Sequence, residues 1–216
     1  MITRHAAPLR AQVVEAVRSA IVAGEFAPGD RLKENDLCEK FAVSRTVIRE
    51  TLRQLESERL IHIEPQVGPT VSSLTFSEAK SLYQVRAALE ATMAKLATEN
   101  GTAAQIALIS ELYEQIVVAD TLPLKDLVHL KNQFYKGMAE AAGNPVIEEI
   151  LGNVQARISQ LRRITLKSPN RHEQMVNELG RVIQAIASGD ADRAYDASVA
   201  HVEAAEAIAL KTLSTV

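Results

Sequence analysis

Apolar residues recur at helical spacing from the start of the chain, and the first run, Pro8 to Ala23, sets Leu9, Val13, Val17, Ala20 and Ile21 on one face. Gly24 stops this helix, and Ala27-Pro28-Gly29-Asp30 reads as a turn. A shorter helix is predicted over Asn35 to Phe41. After the link Ala42-Val43, Ser44 is a good N-cap, and Val47, Ile48, Leu52 and Leu55 mark the apolar face of a third helix running to Glu58. Two helices joined by so tight a turn predict a helix-turn-helix. Leu60-Ile61-His62-Ile63 and Thr70-Val71 are β-prone pieces around Pro65-Gln66-Val67-Gly68-Pro69, so a hairpin follows and makes the motif winged.

Beyond Leu74 the pattern changes to long amphipathic helices with brief breaks at Asn100-Gly101, Thr121-Leu122-Pro123, Gly143-Asn144-Pro145, Ser168-Pro169-Asn170 and Ser188-Gly189-Asp190. Those breaks define about six helices and require no strand. The expected fold is therefore mainly α: a winged helix-turn-helix domain over residues 1–75 and an all-helical bundle over residues 76–216. In the first bundle helix Leu82, Val85, Leu89, Met93 and Leu96 form the apolar stripe, with Arg86 inside it.

Composition narrows the function without naming it. With 216 residues and 47% hydrophobic content the chain can bury a substantial core. No apolar run approaches the roughly 20 residues of a membrane span, and the start lacks the apolar segment of a secretory signal, so a soluble cytoplasmic protein is expected. Cys38 is the only cysteine, which excludes an internal disulfide and multi-thiolate metal sites. Its place between Leu37 and Phe41 suits a packed, inert thiol.

The third helix carries candidate chemistry. A period of 3.6 residues sets Arg45, Arg49 and, less perfectly, Arg53 along one face while the apolar residues turn inward. Ser44 and Thr46 add hydroxyls beside free backbone N–H groups, which suit phosphate, and arginine pairs bidentately with guanine O6 and N7. A solvated helix face is the competing reading. Residues 1–75 hold ten Lys or Arg and ten Asp or Glu, so DNA affinity has to come from local segregation of Lys33, Lys40, Arg45, Arg49 and Arg53.

The run GEFAPGDRLKENDLCEKFAVSRTVIRETLRQLESERLIHIEPQVGPTV resembles the winged helix of the GntR family of bacterial transcription regulators. The matching elements are the Pro28-Gly29 turn, Leu32-x-Glu34, Ser44-Arg45-Thr46, Arg49-Glu50, Leu52, Leu55 and Gly68 before Val71. The resemblance implies double-stranded DNA as partner, with Arg45, Thr46 and Arg49 meeting bases or phosphates in the major groove and the wing near Gly68 approaching the backbone or minor groove. Lys33, Ser44 and Arg53 join these as candidate DNA contacts. The family often has an arginine just before the wing glycine; here Val67 stands there, with Gln66 as a partial substitute.

Residues 76–216 resemble the FCD ligand-binding domain of the FadR subfamily through Arg86-x-x-Leu89-Glu90, the run Ala141-Ala142-Gly143-Asn144-Pro145, and Gly189-Asp190 followed by His201. Many such domains hold a divalent metal with an Asp and a His one helical turn apart and two later histidines. At those positions the resemblance puts Lys131, Tyr135, Leu179 and His201, of which only His201 is a ligand, so neither a metal nor any other cofactor is expected. A charged residue in a core stripe needs a partner, so Arg86 meets either an internal acid or a ligand anion. Lys131 and Tyr135 flank a second stripe of Leu127, Leu130, Phe134 and Met138.

The reading that follows is a regulator, taken to be a repressor, that binds a palindromic operator as a homodimer and answers to a small organic anion through Arg86, Lys131, Tyr135 and His201. The competing readings are a helical domain that has lost its ligand, in which Lys131 reaches solvent and Tyr135 is core packing, and a metal-dependent enzyme. The chain contains no nucleophile elbow, phosphate loop or HExxH motif, which argues against the enzyme.

Overall fold

A computed structural model of the protein describes residues 6–214. Residues 1–5 and 215–216 of the two expected domains lie outside the described residues. The chain divides after Leu74 into two compact units.

In the first unit, α1 (Ala6–Ala23), α2 (Glu34–Phe41) and α3 (Arg45–Ser57) are followed by a hairpin of β1 (Ile61–Glu64) and β2 (Gly68–Val71). The strands pair antiparallel with Ile61 opposite Val71 and Glu64 opposite Gly68. Val13, Val14, Val17, Ile21, Leu32, Leu37, Ile48, Leu52, Leu55, Leu60, Ile61 and Val71 are buried and make one core. Leu9, expected on the buried face of α1, is 46% exposed, whereas Val14 is buried beside Val13 and Val17. Ala42 adopts the left-handed conformation (φ 52°) in the tight turn between α2 and α3, a geometry that an L-residue adopts at some energetic cost. Arg18 of α1 donates from Nη2 to Glu58 at 2.7 Å and from Nε at 3.0 Å, fixing the end of α3 against α1.

The second unit contains α4 (Phe76–Asn100), α5 (Ala103–Val117), a short 3-10 turn at Ala119–Thr121, α6 (Leu124–Ala142), α7 (Pro145–Leu166), α8 (Arg171–Ala187) and α9 (Ala191–Leu213). Local capping explains where these helices begin. Thr75 and Glu78 form a capping box at α4, and Thr102 and Gln105 form one at α5. Asn144 caps α7 with Pro145 at its first turn, and Asp190 caps α9. Gly143 ends α6 at φ 64°, where a side chain would be strained. α4 packs chiefly against α9 and α6, α8 against α9, and α5 against α6.

The inward face of α4 differs from the expected stripe. Val85 is 40% exposed, whereas Tyr83, Arg86, Glu90, Ala91 and Ala94 are buried beside Leu82 and Met93. The helix is rotated so that its charged pair faces the bundle.

Candidate functional site

Ser44 accepts a hydrogen bond from the Val47 amide at its Oγ, and its hydroxyl proton remains available outward. The N–H groups of Arg45 and Thr46, in the first turn of α3, have no intrahelical acceptor. Both side chains are exposed, as are Lys33, Arg53 and the wing residue Gln66. Arg49 is also exposed, but its Nε lies 3.0 Å from both carboxylate oxygens of Glu34, on the first turn of α2. Lys40, expected among the DNA-facing cations, instead pairs with Glu25 at 2.7 Å and stands over the Phe26 ring. At the wing tip Gln66 and Gly68 both have positive φ, at 67° and 97°. Arg31 bridges to Thr70 at the base of this hairpin, and its guanidinium lies beside Gly68. Arg31 is a candidate contact that the sequence analysis did not single out.

The second unit gathers a cluster of charge inside its bundle. Arg86 and Glu90 leave the same face of α4 one turn apart, and Arg86 donates to Glu90 at 2.8 Å through Nε and 3.3 Å through Nη2. Of the two partners open to Arg86, the structure shows the internal acid. Lys131 and Tyr135 enter from α6, Arg162 from α7, Arg171 and Glu178 from α8 and His201 from α9, all buried. Arg171 grips Glu178 with both Nη groups at 2.6 and 2.7 Å, and His201 Nδ1 lies 2.6 Å from the same carboxylate. Arg162 donates to Asn132 Oδ1 at 2.5 Å, lies 3.8 Å from Glu90, and stacks 4.2 Å from the Tyr135 ring centroid.

Four basic side chains, Arg86, Lys131, Arg162 and Arg171, thus share the interior with two carboxylates, Glu90 and Glu178. Burial opposes the Arg86 charge, yet the Glu90 carboxylate more than offsets it and raises its pKa. Burial and then the guanidinium groups of Arg162, Arg86 and Arg171 hold the Lys131 ammonium well below the usual lysine range. Lys131 is only 3% exposed and so does not reach solvent, where the ligand-free reading placed it. Burial lowers His201 to about 4 against the pull of Glu178, so the imidazole is neutral and donates its Nδ1 proton. Burial opposes the Glu178 charge, but hydrogen bonds from His201 and Arg171 take it down to about 2. The Tyr135 hydroxyl lies near Glu90, and burial, then that carboxylate, push its pKa upward.

A cavity of about 670 Å³ adjoins the cluster, with Glu90, Tyr135 and Arg162 in its lining beside Leu108, Leu112, Leu151 and Ile158. A second cavity of about 640 Å³ reaches Arg171, whose guanidinium is already held by Glu178.

Comparison with known families matches residues 9–71 to the gntR family of bacterial regulatory proteins and residues 81–204 to the FCD domain. The chain is a GntR-family transcription regulator with an FCD domain. It is 24% identical over 197 residues to the HTH-type transcriptional repressor RspR of Escherichia coli, covering 91% of this chain and 86% of that one. It is 24% identical over 196 residues to the uncharacterized HTH-type regulator YdhC of Bacillus subtilis, covering 90% and 88%. The solved structure of E. coli McbR/YncC superposes with a TM-score of 0.82 at 20% identity, covering 98% of this chain and 99% of that one, and supports the fold. The family matches are DNA-binding regulators, not enzymes.

Within this GntR-family chain the FCD metal position has the wrong chemistry for a divalent cation. Lys131 and Tyr135 are buried without being anionic, Leu179 is core, and His201 is bound to Glu178. His172 is engaged with the Ile116 carbonyl at 2.9 Å and with Asp120. Among the described residues no group of three or more His, Cys, Asp or Glu could hold a metal ion. No helix among them is long and apolar enough to cross a membrane.

Proposed function

We propose that this regulator is a cytoplasmic repressor that binds a palindromic operator as a homodimer, two copies of α3 entering successive major grooves, and that a small organic anion in the helical unit releases it. Residues 1–75 act as the DNA-binding domain and residues 76–216 as the effector and dimerisation domain. The observation that carries the DNA half is an apolar-anchored α3 that turns Arg45, Thr46, Arg49 and Arg53 outward beside free helix-start N–H groups. The repressor role is suggested by the name of the RspR relative. The anion is supported by the surplus of buried basic groups next to an open cavity, and that cavity also argues against a helical unit without a ligand.

Fluorescence anisotropy with DNA from upstream of the protein's own gene tests this. The expected result is a sequence-selective complex whose affinity falls steeply with salt, and that Arg49→Ala weakens roughly ten- to hundredfold. A complex indifferent to sequence would reject the operator reading, and unchanged affinity in the variant would remove Arg49 from the interface.

A further inference from the structure

From Leu60 to Val71 the hairpin contains neither Lys nor Arg, and its one acid, Glu64, pairs with His62 at 2.7 Å. Ile63 and Val67 stand exposed on it. Such a wing has no cation of its own with which to meet polyanionic DNA.

The turn before α2 supplies one. Backbone hydrogen bonds join this segment to β2: the Gly29 amide donates to the Val71 carbonyl at 2.9 Å, the Val71 amide to the Asp30 carbonyl at 2.9 Å, and the Leu32 amide to the Pro69 carbonyl at 2.8 Å. Leu32 packs inward, so the alternation of extended backbone turns Arg31 and Lys33 outward. Arg31 sits opposite Thr70, and its Nε and Nη2 lie 3.9 Å from the point where a Gly68 side chain would begin. Glycine at 68, at φ 97°, therefore leaves room at the wing tip for the guanidinium.

Among the described residues no carboxylate pairs with Arg31, whereas Glu58 holds Arg18, Glu25 holds Lys40 and Glu34 holds Arg49. Asp30, its neighbour, turns back to accept from the Ala27 amide at 2.7 Å. Arg31 is also close to the DNA-facing side of α3. It precedes Glu34, the partner of Arg49, by three residues, which span no more than about 11 Å of extended chain. The hairpin follows α3 directly, with the Leu60 amide bonded to the Leu55 carbonyl at 3.0 Å. With α3 in the major groove, the wing lies over the flanking strand, beyond which is a minor groove about 6 Å wide. A tip of Gln66, Val67 and Gly68 is slim, and a guanidinium, planar and weakly hydrated, is the cation that a narrow A·T-rich groove attracts.

We propose that Arg31, from outside the hairpin, is the base-reading cation of the wing: its guanidinium enters the minor groove beside α3 and gives the regulator a preference for A·T pairs there. The proposal rests on the reading of the first unit as an operator-binding domain and adds to it one specificity residue.

Duplexes enriched by the full chain from a randomised library test this by fluorescence anisotropy. Enriched sites carry A·T pairs flanking the bases under α3. Replacing those pairs with G·C weakens binding roughly tenfold, and inosine·C, which lacks the minor-groove amino group of guanine, restores it. Arg31→Ala makes the three duplexes equal. Arg31→Lys keeps the charge without recovering the preference, because an ammonium is a strongly hydrated point charge. Arg49→Ala lowers all three alike and leaves their ratio intact. The assignment is overturned by a wild type indifferent to the flanking pairs, by Arg31→Ala retaining the A·T preference, or by Arg31→Lys matching the wild type, which would make Arg31 a phosphate contact only. Enrichment of no sequence would reject the operator reading and Arg31 with it, whereas an enriched site that needs Arg49 but ignores its flanks rejects Arg31 alone.

Discussion

Arg49 meets Glu34 through Nε alone, so its two terminal Nη groups stay free, and a pair of parallel donors is what guanine O6 and N7 accept. Glu34 thereby acts as a positioning residue, holding the guanidinium plane at the surface of α3. It also places a negative charge close to where phosphates would lie. Replacing it with glutamine separates these effects. Glu34→Gln is expected to weaken operator binding while strengthening binding to a scrambled duplex, because one repulsive charge is removed and the arginine is no longer aligned. Anisotropy on the two duplexes reads the ratio; an equal gain on both would leave Glu34 as a repulsive charge and nothing more. Arg49 was legible from its spacing along one helix. Its partner was not, since Glu34 lies fifteen residues earlier on another helix. Arg162 escaped for a related reason: Arg162 and Arg163 are adjacent, and only the rotation of α7 against its neighbours decides which one is buried.

Helix boundaries depend on a few residues at each end, and that made the elements the most legible part of the chain. The breaks at Asn100-Gly101, Gly143-Asn144-Pro145 and Ser188-Gly189-Asp190 all fall at observed junctions, where caps and positive-φ glycines satisfy the terminal backbone groups. The start of α4 offers a direct test. Thr75 Oγ1 accepts from the Glu78 amide at 3.2 Å while Glu78 accepts from the Thr75 amide at 3.1 Å, and Glu78 also accepts from Arg157 of α7 at 3.2 Å. Thr75→Ala is expected to destabilise the helical unit by about 1 kcal/mol, the usual loss on removing an N-cap. Urea unfolding followed by circular dichroism measures it, and an unchanged midpoint would show that packing of α4 on α9 and α6 alone fixes the helix start. Facing was less legible than boundaries. The stripe through Val85 follows apolar periodicity, but the bundle also needs Arg86 and Glu90 inward to meet Arg162, Lys131 and His201, and that demand comes from other helices.

At the scale of the whole molecule, the buried cluster couples the fold of the helical unit to pH. His201 faces Glu178 and Arg171 of α8, Lys131 of α6 and Glu90 of α4, and its pKa falls from the ordinary 6.5 to about 4. The unfolded chain therefore binds more protons than the folded one across that window, so stability is complete above pH 6.5 and declines as the pH drops toward 4. The slope contributed by this one group approaches about 1.4 kcal/mol per pH unit. Glu178, lowered from 4.5 to about 2, adds a loss in the same direction at lower pH, since its charged form is the one that Arg171 and His201 hold. Among the described residues, His62 and His129 are exposed and His172 is half-buried, which leaves His201 as the histidine there most strongly tied to the fold. His201→Gln keeps a donor toward Glu178 but cannot titrate, so it is expected to flatten the stability profile between pH 6.5 and 5 while lowering stability modestly at pH 7.5. Urea midpoints of the two proteins across that range decide the matter: parallel profiles would mean that His201 is not the group through which acid loosens the bundle.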